Sequence, residues 1–160
     1  MTGIDMGEKA IEVAKLHLHL SKLDIDYRVE DVALLADKTP QAYEVVTCME
    51  LLEHVPSPKQ LIESCARLTK TGGDVFFSTI NRNPASYALS IVAAEYILGL
   101  LPKGTHDYQK LIKPSELANA ARQYGLEVCD ISGMRYDPFT KRATIIRSPL
   151  VNYIVHCQKR

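Results

Sequence analysis

The chain has 160 residues, 19 Lys+Arg against 19 Asp+Glu, and 46% hydrophobic residues. That profile fits one globular domain over residues 1–160 and excludes a disordered or fibrous chain. Zero net charge removes the electrostatic footprint of non-specific nucleic-acid binding, so no nucleic-acid partner is expected.

Residues 2–5 read as a short strand running into a helix from Gly7 to Leu20, with Ile11, Ala14 and Leu18 at helical spacing. Residues 25–29 are a second short strand. Residues 43–48 (YEVVTC) form a β-branched run of the kind a buried parallel strand shows. Ser57-Pro58 starts a helix, with Ser57 as cap, Leu61, Ile62, Cys65 and Leu68 as its apolar stripe, and Gly72-Gly73 as its end. A buried strand follows at 74–79 (DVFFST), then helices at 85–101 and 115–124, the second stopped by Gly125. Longer strands at 126–136 and 152–158 flank the turn-rich Asp137-Pro138-Phe139. Strands alternating with helices predict an α/β fold with a mostly parallel sheet and an antiparallel C-terminal strand pair. Ligands in such sheets bind beyond the carboxyl ends of the strands.

Cys48, Cys65, Cys129 and Cys157 show no CxxC pair and sit in apolar or strand-like stretches, where free Cys acts as a small hydrophobe; a reduced intracellular setting is expected. No signal-peptide pattern opens the chain. The longest apolar run, 87–101, contains Glu95 and is shorter than the ~20 residues of a spanning helix. The chain is therefore expected not to cross a membrane.

At the strand ends, Asp5 suits either the two ribose hydroxyls of an adenosine-type cofactor or the capping of the following helix. Glu30, past the second strand, suits an adenine amino group or solvent. Glu50, Glu53 and His54 stand at i, i+3 and i+4, so one helical turn would place them on one face. Such a set either faces solvent or shares a divalent cation, Mg²⁺ by its oxygen ligands or Zn²⁺ with the imidazole.

Residues 2–6 (TGIDM), 45–55 (VVTCMELLEHV), 72–82 (GGDVFFSTINR) and 102–106 (PKGTH) together resemble the ubiquinone-biosynthesis O-methyltransferases, class I enzymes that use S-adenosylmethionine. The resemblance implies a Rossmann-like sheet and methylation of a hydroxyl on a polyprenyl phenol or catechol (quinol) precursor. It implies that Asp5 holds the cofactor ribose and Met49 lies against its adenine or methionine part. It implies that Glu50, Glu53 and His54 bind the divalent metal and that Lys103, Thr105 and His106 belong to a closing loop. On chemical grounds His54 is alternatively the catalytic general base. The family's glycine-rich D-x-G-x-G-x-G loop does not occur, so the sheet is expected to be incomplete, its central first strand absent between those ending at Asp5 and Cys48.

The chain thus reads as a fragment or truncated product that is expected to bind the cofactor weakly or not at all. The alternatives are a non-catalytic remnant that binds lipid or a partner, and a class I methyltransferase for another small molecule. The substrate's isoprenoid tail implies a cytoplasmic enzyme peripheral at the inner face of the inner membrane, on the matrix side in a eukaryote. Residues 87–101 would form either a helix lying in the bilayer interface or a buried core or lid helix, and other ubiquinone-biosynthesis proteins are expected partners.

Overall fold

The computed structural model describes residues 1–87, 107–137 and 140–160. The expected 85–101 helix, the Lys103–Thr105–His106 loop, and Pro138 and Phe139 fall wholly or mostly outside these residues.

Thr2–Asp5 (β1) leads into α1 (Glu8–Ser21), which buries Ile11 and leaves Val13, Leu16 and Leu20 exposed. Asp26–Val29 (β2) pairs in parallel with β1. Sequence reasoning passed over α2 (Val32–Lys38), which is capped by the Asp31 carboxylate accepting from the amides of Ala33 and Leu34 and which buries Leu35 and Ala36. Tyr43–Met49 (β3) lies parallel to β4 (Thr69–Ile80), with α3 (Pro58–Leu68) between them in sequence.

Two local expectations change. Ser57 occupies the cap position of α3 but makes no side-chain capping bond, and the helix ends at Leu68, where the Thr69 hydroxyl and amide both donate to the Cys65 carbonyl. The pair Gly72-Gly73 serves the sheet instead. Register passes from Tyr43 opposite Thr69 to Val45 opposite Asp74, so residues 70–73 bulge out of β4. Gly72 sits at φ +80°, and a Cβ on Gly73 would come within 2.6 Å of the Glu44 carbonyl oxygen.

The short α4 (Pro84–Ser86) follows β4, and α5 (Pro114–Gln123) ends at Gly125, φ +73°, as its sequence predicts. Leu126–Asp137 (β5), Arg142–Ile146 (β6) and Asn152–Lys159 (β7) are antiparallel; β6 was not anticipated. The strand order is β3-β4-β7-β5-β6 in one sheet and β1-β2 in a second. The main core lies between β3, β4, β7 and the helices α3 and α5, with Val75, Phe77, Tyr153, Val155 and Cys157 fully buried. Of the cysteines, Cys129 departs from expectation by being exposed; it falls at the register shift between Val128 and Asp130 of β5.

The sheet is therefore in two pieces. Among the described residues, β1 and β3 each keep one unpaired edge. The pieces share α2: Leu35, Ala36 and Leu68 form a small core against which Ile4 of β1 and Tyr43 and Val46 of β3 both pack. No helix among the described residues is long and apolar enough to cross a membrane.

Candidate functional site

The carboxyl ends of β1, β2 and β3 carry the residues singled out from sequence. Asp5 is exposed, and its Oδ1 accepts from the Gly7 amide at 2.6 Å, at the start of α1. Glu30 engages Lys38 at 2.5 Å and Arg28 at 3.7 Å. Met49, the last residue of β3, is 46% exposed.

Residues 50–55 do not form the helical turn that the i, i+3, i+4 reading required. The Glu50 amide donates to the carbonyl and the hydroxyl of Ser78, both at 3.0 Å, which extends the β3–β4 ladder by one residue. Glu50 itself is left-handed, φ +49°, a conformation that costs a non-glycine residue about 1–2 kcal/mol. Pro56 disfavours helix at Val55, and only Ser57-Pro58 restarts one.

Glu50 and Glu53 diverge as a result. Glu50 Oε1 accepts from the Ser78 hydroxyl at 2.8 Å, and its Oε2 lies 3.4 Å from Asn152 Nδ2. Glu53 Oε2 accepts from the Thr79 hydroxyl at 2.7 Å. Ser78 and Thr79 are neighbours on β4, so they point to opposite faces of the sheet, and each carboxylate follows its partner. His54 is exposed, with its amide donating to the Leu51 carbonyl at 3.0 Å. Among the described residues, no three His, Cys, Asp or Glu side chains gather closely enough to hold a metal ion. The trio Glu50, Glu53 and His54 does not fit a single divalent cation in this arrangement.

The structure instead isolates Glu53. Its side chain is 3% exposed, and its Oε1 is the buried side-chain polar atom that lacks a hydrogen-bond partner among the described residues. Leaving a buried acceptor unpaired costs about 1–3 kcal/mol, more if it is charged. Glu53 also lines a cavity of about 310 Å³ with Leu52, Val55, Arg82, Leu111, Ile112 and Glu116. Arg82 forms an ion pair with Glu116, and its Nη1 lies 3.4 Å from the Gln109 carbonyl. Behind the cavity, the Tyr153 hydroxyl donates to the Ile112 carbonyl at 2.9 Å. Burial first, then the negative charges of Glu53, Glu116 and Glu50, push that phenol well above the ordinary tyrosine range.

Sequence reasoning missed Thr79, Arg82 and Tyr153 as members of this region. The available signal was the Ser78-Thr79 pair following the apolar run Val75-Phe76-Phe77, since buried hydroxyls need partners.

A family model described as a methyltransferase domain matches residues 1–131. The ubiquinone biosynthesis O-methyltransferase of Saccharophagus degradans is 54% identical over 160 residues, covering 99% of this chain and 68% of its own length. That of Nitrosomonas europaea is 57% identical over 155 residues, covering 97% and 66%. The chain belongs to the ubiquinone biosynthesis O-methyltransferase family. The function of that family is S-adenosylmethionine-dependent O-methyl transfer in ubiquinone biosynthesis, and the chain spans about two thirds of the length of these relatives.

Solved structures bear out the class I methyltransferase fold. A SAM-dependent methyltransferase from Methanosarcina mazei superposes with a TM-score of 0.69 at 15% identity, covering 99% of this chain and 81% of that one. The [4+2]-cyclase SpnF superposes at 0.67 with 14% identity, covering 99% and 66%. The second case shows that the fold alone does not fix the reaction.

Proposed function

We propose that this protein methylates a ring hydroxyl of a polyprenyl phenol or catechol, with S-adenosylmethionine as donor. Identity of 54% across the whole chain to a relative of that name carries the reading. The chemistry-bearing residues also stand at the carboxyl ends of the strands, where α/β sheets bind ligands.

The residues at these ends fit the cofactor. Asp5 offers an exposed carboxylate at the end of β1 for the ribose hydroxyls, and Met49 an exposed thioether for the adenine or methionine part. S-adenosylmethionine supplies an electrophilic methyl group when bound. The chain's part is to hold the acceptor oxygen in line and to take its proton. His54, exposed after the turn, is the proposed general base. The metal expectation is carried no further, because Glu50 and Glu53 go to opposite sheet faces.

A binding domain without catalysis is the second reading. A substrate panel separates the two. Formation of S-adenosylhomocysteine with demethylated quinols, but not with amines or unrelated phenols, supports the proposed enzyme. Tight quinol binding with no turnover supports the binding domain. The isoprenoid tail requires access to a bilayer, so contact with the inner face of a membrane and with other enzymes of the route belongs to the same proposal.

A further inference from the structure

Helix α1 carries two apolar stripes on opposite sides. Ile11, Ala14 and Leu18 turn inward, Ile11 buried and the other two half-buried. Val13, Leu16 and Leu20 turn outward and are 52%, 64% and 83% exposed. Steps of three and four residues separate them, and Met6 and Leu23, just beyond the two ends of the helix, continue the same rhythm through Lys9. That is the narrow seam by which one helix packs along another, not the broad stripe that faces a core. The exposed positions of α3 and α5 are polar by contrast, among them Lys59, Arg67, Glu116 and Arg122.

The seam is complementary to itself. Two copies of α1 laid antiparallel over their full length set Val13 against Leu16 of the second copy, Lys9 against Leu20 and Met6 against Leu23, each contact made twice about the twofold axis. The Lys9 stem then lies along Leu20 while its ammonium reaches water. In this register Glu12 and His19, both exposed and both beside the seam, come opposite each other across the interface. A parallel pairing would instead set Lys9 against Lys9, a like-charge contact. We propose that α1 is a self-association surface, the outward seam of one chain packing antiparallel against that of a second copy. One seam of this length buries less than a standard interface, so the dimer is weak and forms as concentration rises.

None of the tests involves methyl transfer. Sedimentation across a concentration series should show the mass rising from 17.9 kDa towards the dimer. Leu16→Lys together with Leu20→Lys, at side chains that fill no core, should weaken association at least ~10-fold. Ile145→Lys, at a similarly exposed position on β6, should leave it unchanged. His19→Glu sets a second carboxylate against Glu12 of the other chain and should weaken the dimer, and adding Glu12→Lys should restore it. A chain that stays monomeric throughout overturns the proposal, even if it pellets with liposomes, since the seam then serves a lipid surface. Association that survives the paired lysine substitution, or that falls equally with Ile145→Lys, overturns it as non-specific sticking of exposed apolar residues. No restoration by Glu12→Lys overturns the antiparallel arrangement.

Discussion

Tyr153 and Ile112, 41 residues apart, are joined by a hydrogen bond of 2.9 Å from the phenol to the backbone carbonyl. The Ile112 amide in turn donates to the Ile80 carbonyl at 3.2 Å. The segment that walls the cavity is thereby tied both to β7 and to the end of β4. A fully buried tyrosine thus sets the position of a loop that sequence periodicity does not describe.

Tyr153→Phe should therefore cost about 1–3 kcal/mol, because the ring still fills its place but the Ile112 carbonyl loses a donor. The melting temperature should fall by roughly 2–4 °C for each kcal/mol at this chain length. Hydrogen exchange should quicken at Leu111 and Ile112 before it does in β4. Unchanged exchange there would show that the bond does not hold the loop.

Stability should fall steeply in alkali. Burial holds the Tyr153 phenol protonated above its usual range and pushes the Cys157 thiol up to about 12. Both groups stay protonated when folded at pH values where the unfolded chain has released them. The stability is present in full below about pH 9 and declines as pH rises towards 12, by about 1.4 kcal/mol per pH unit for each group. Chemical denaturation from pH 8 to 11 reads the slope, and a flat profile would contradict the burial.

Thiol reagents should modify Cys129 quickly and the buried Cys48, Cys65 and Cys157 only on unfolding. Mass spectrometry of briefly alkylated native protein reads the order. Comparable labelling at Cys157 and Cys129 would count against the core described for β7.

Leu35 is 3% exposed in the small core through which α2 joins the two sheet pieces. Leu35→Ala should cost about 2–5 kcal/mol of local stability. Exchange should rise in β1 and β2 while β4 and β7 stay protected, since the latter share their own core. Uniform loss of protection would mean that one cooperative unit spans both pieces.

Much of the fold was legible because apolar runs and breakers agree with it. Pro58 at the start of α3 and Gly125 at the end of α5 do what their chemistry predicts, whereas Ser57 makes no capping bond and β3, a strand as expected, buries only Cys48 of the residues expected to be buried. The short α2 was missed because its seven residues hold barely two turns of periodicity, and Asp31 alone marks its start. The gap between β1 and β3 followed from the missing glycine-rich loop. The site was legible by position but not by geometry. Spacing of three and four placed Glu50, Glu53 and His54 together only if they were helical. One left-handed residue at Glu50, anchored by Ser78, sends them apart.

Isotopic methyl transfer tests the central proposal most directly. S-adenosylmethionine with a labelled methyl group is incubated with a short-tailed demethylated quinol and either this chain or a form extended upstream by a strand and glycine-rich loop. The account predicts labelled methyl ether on a ring hydroxyl, abundant with the extended form and scarce with the chain alone, and lost from both on Asp5→Ala. An unlabelled quinol from both forms, or label on carbon or nitrogen instead of oxygen, would contradict it.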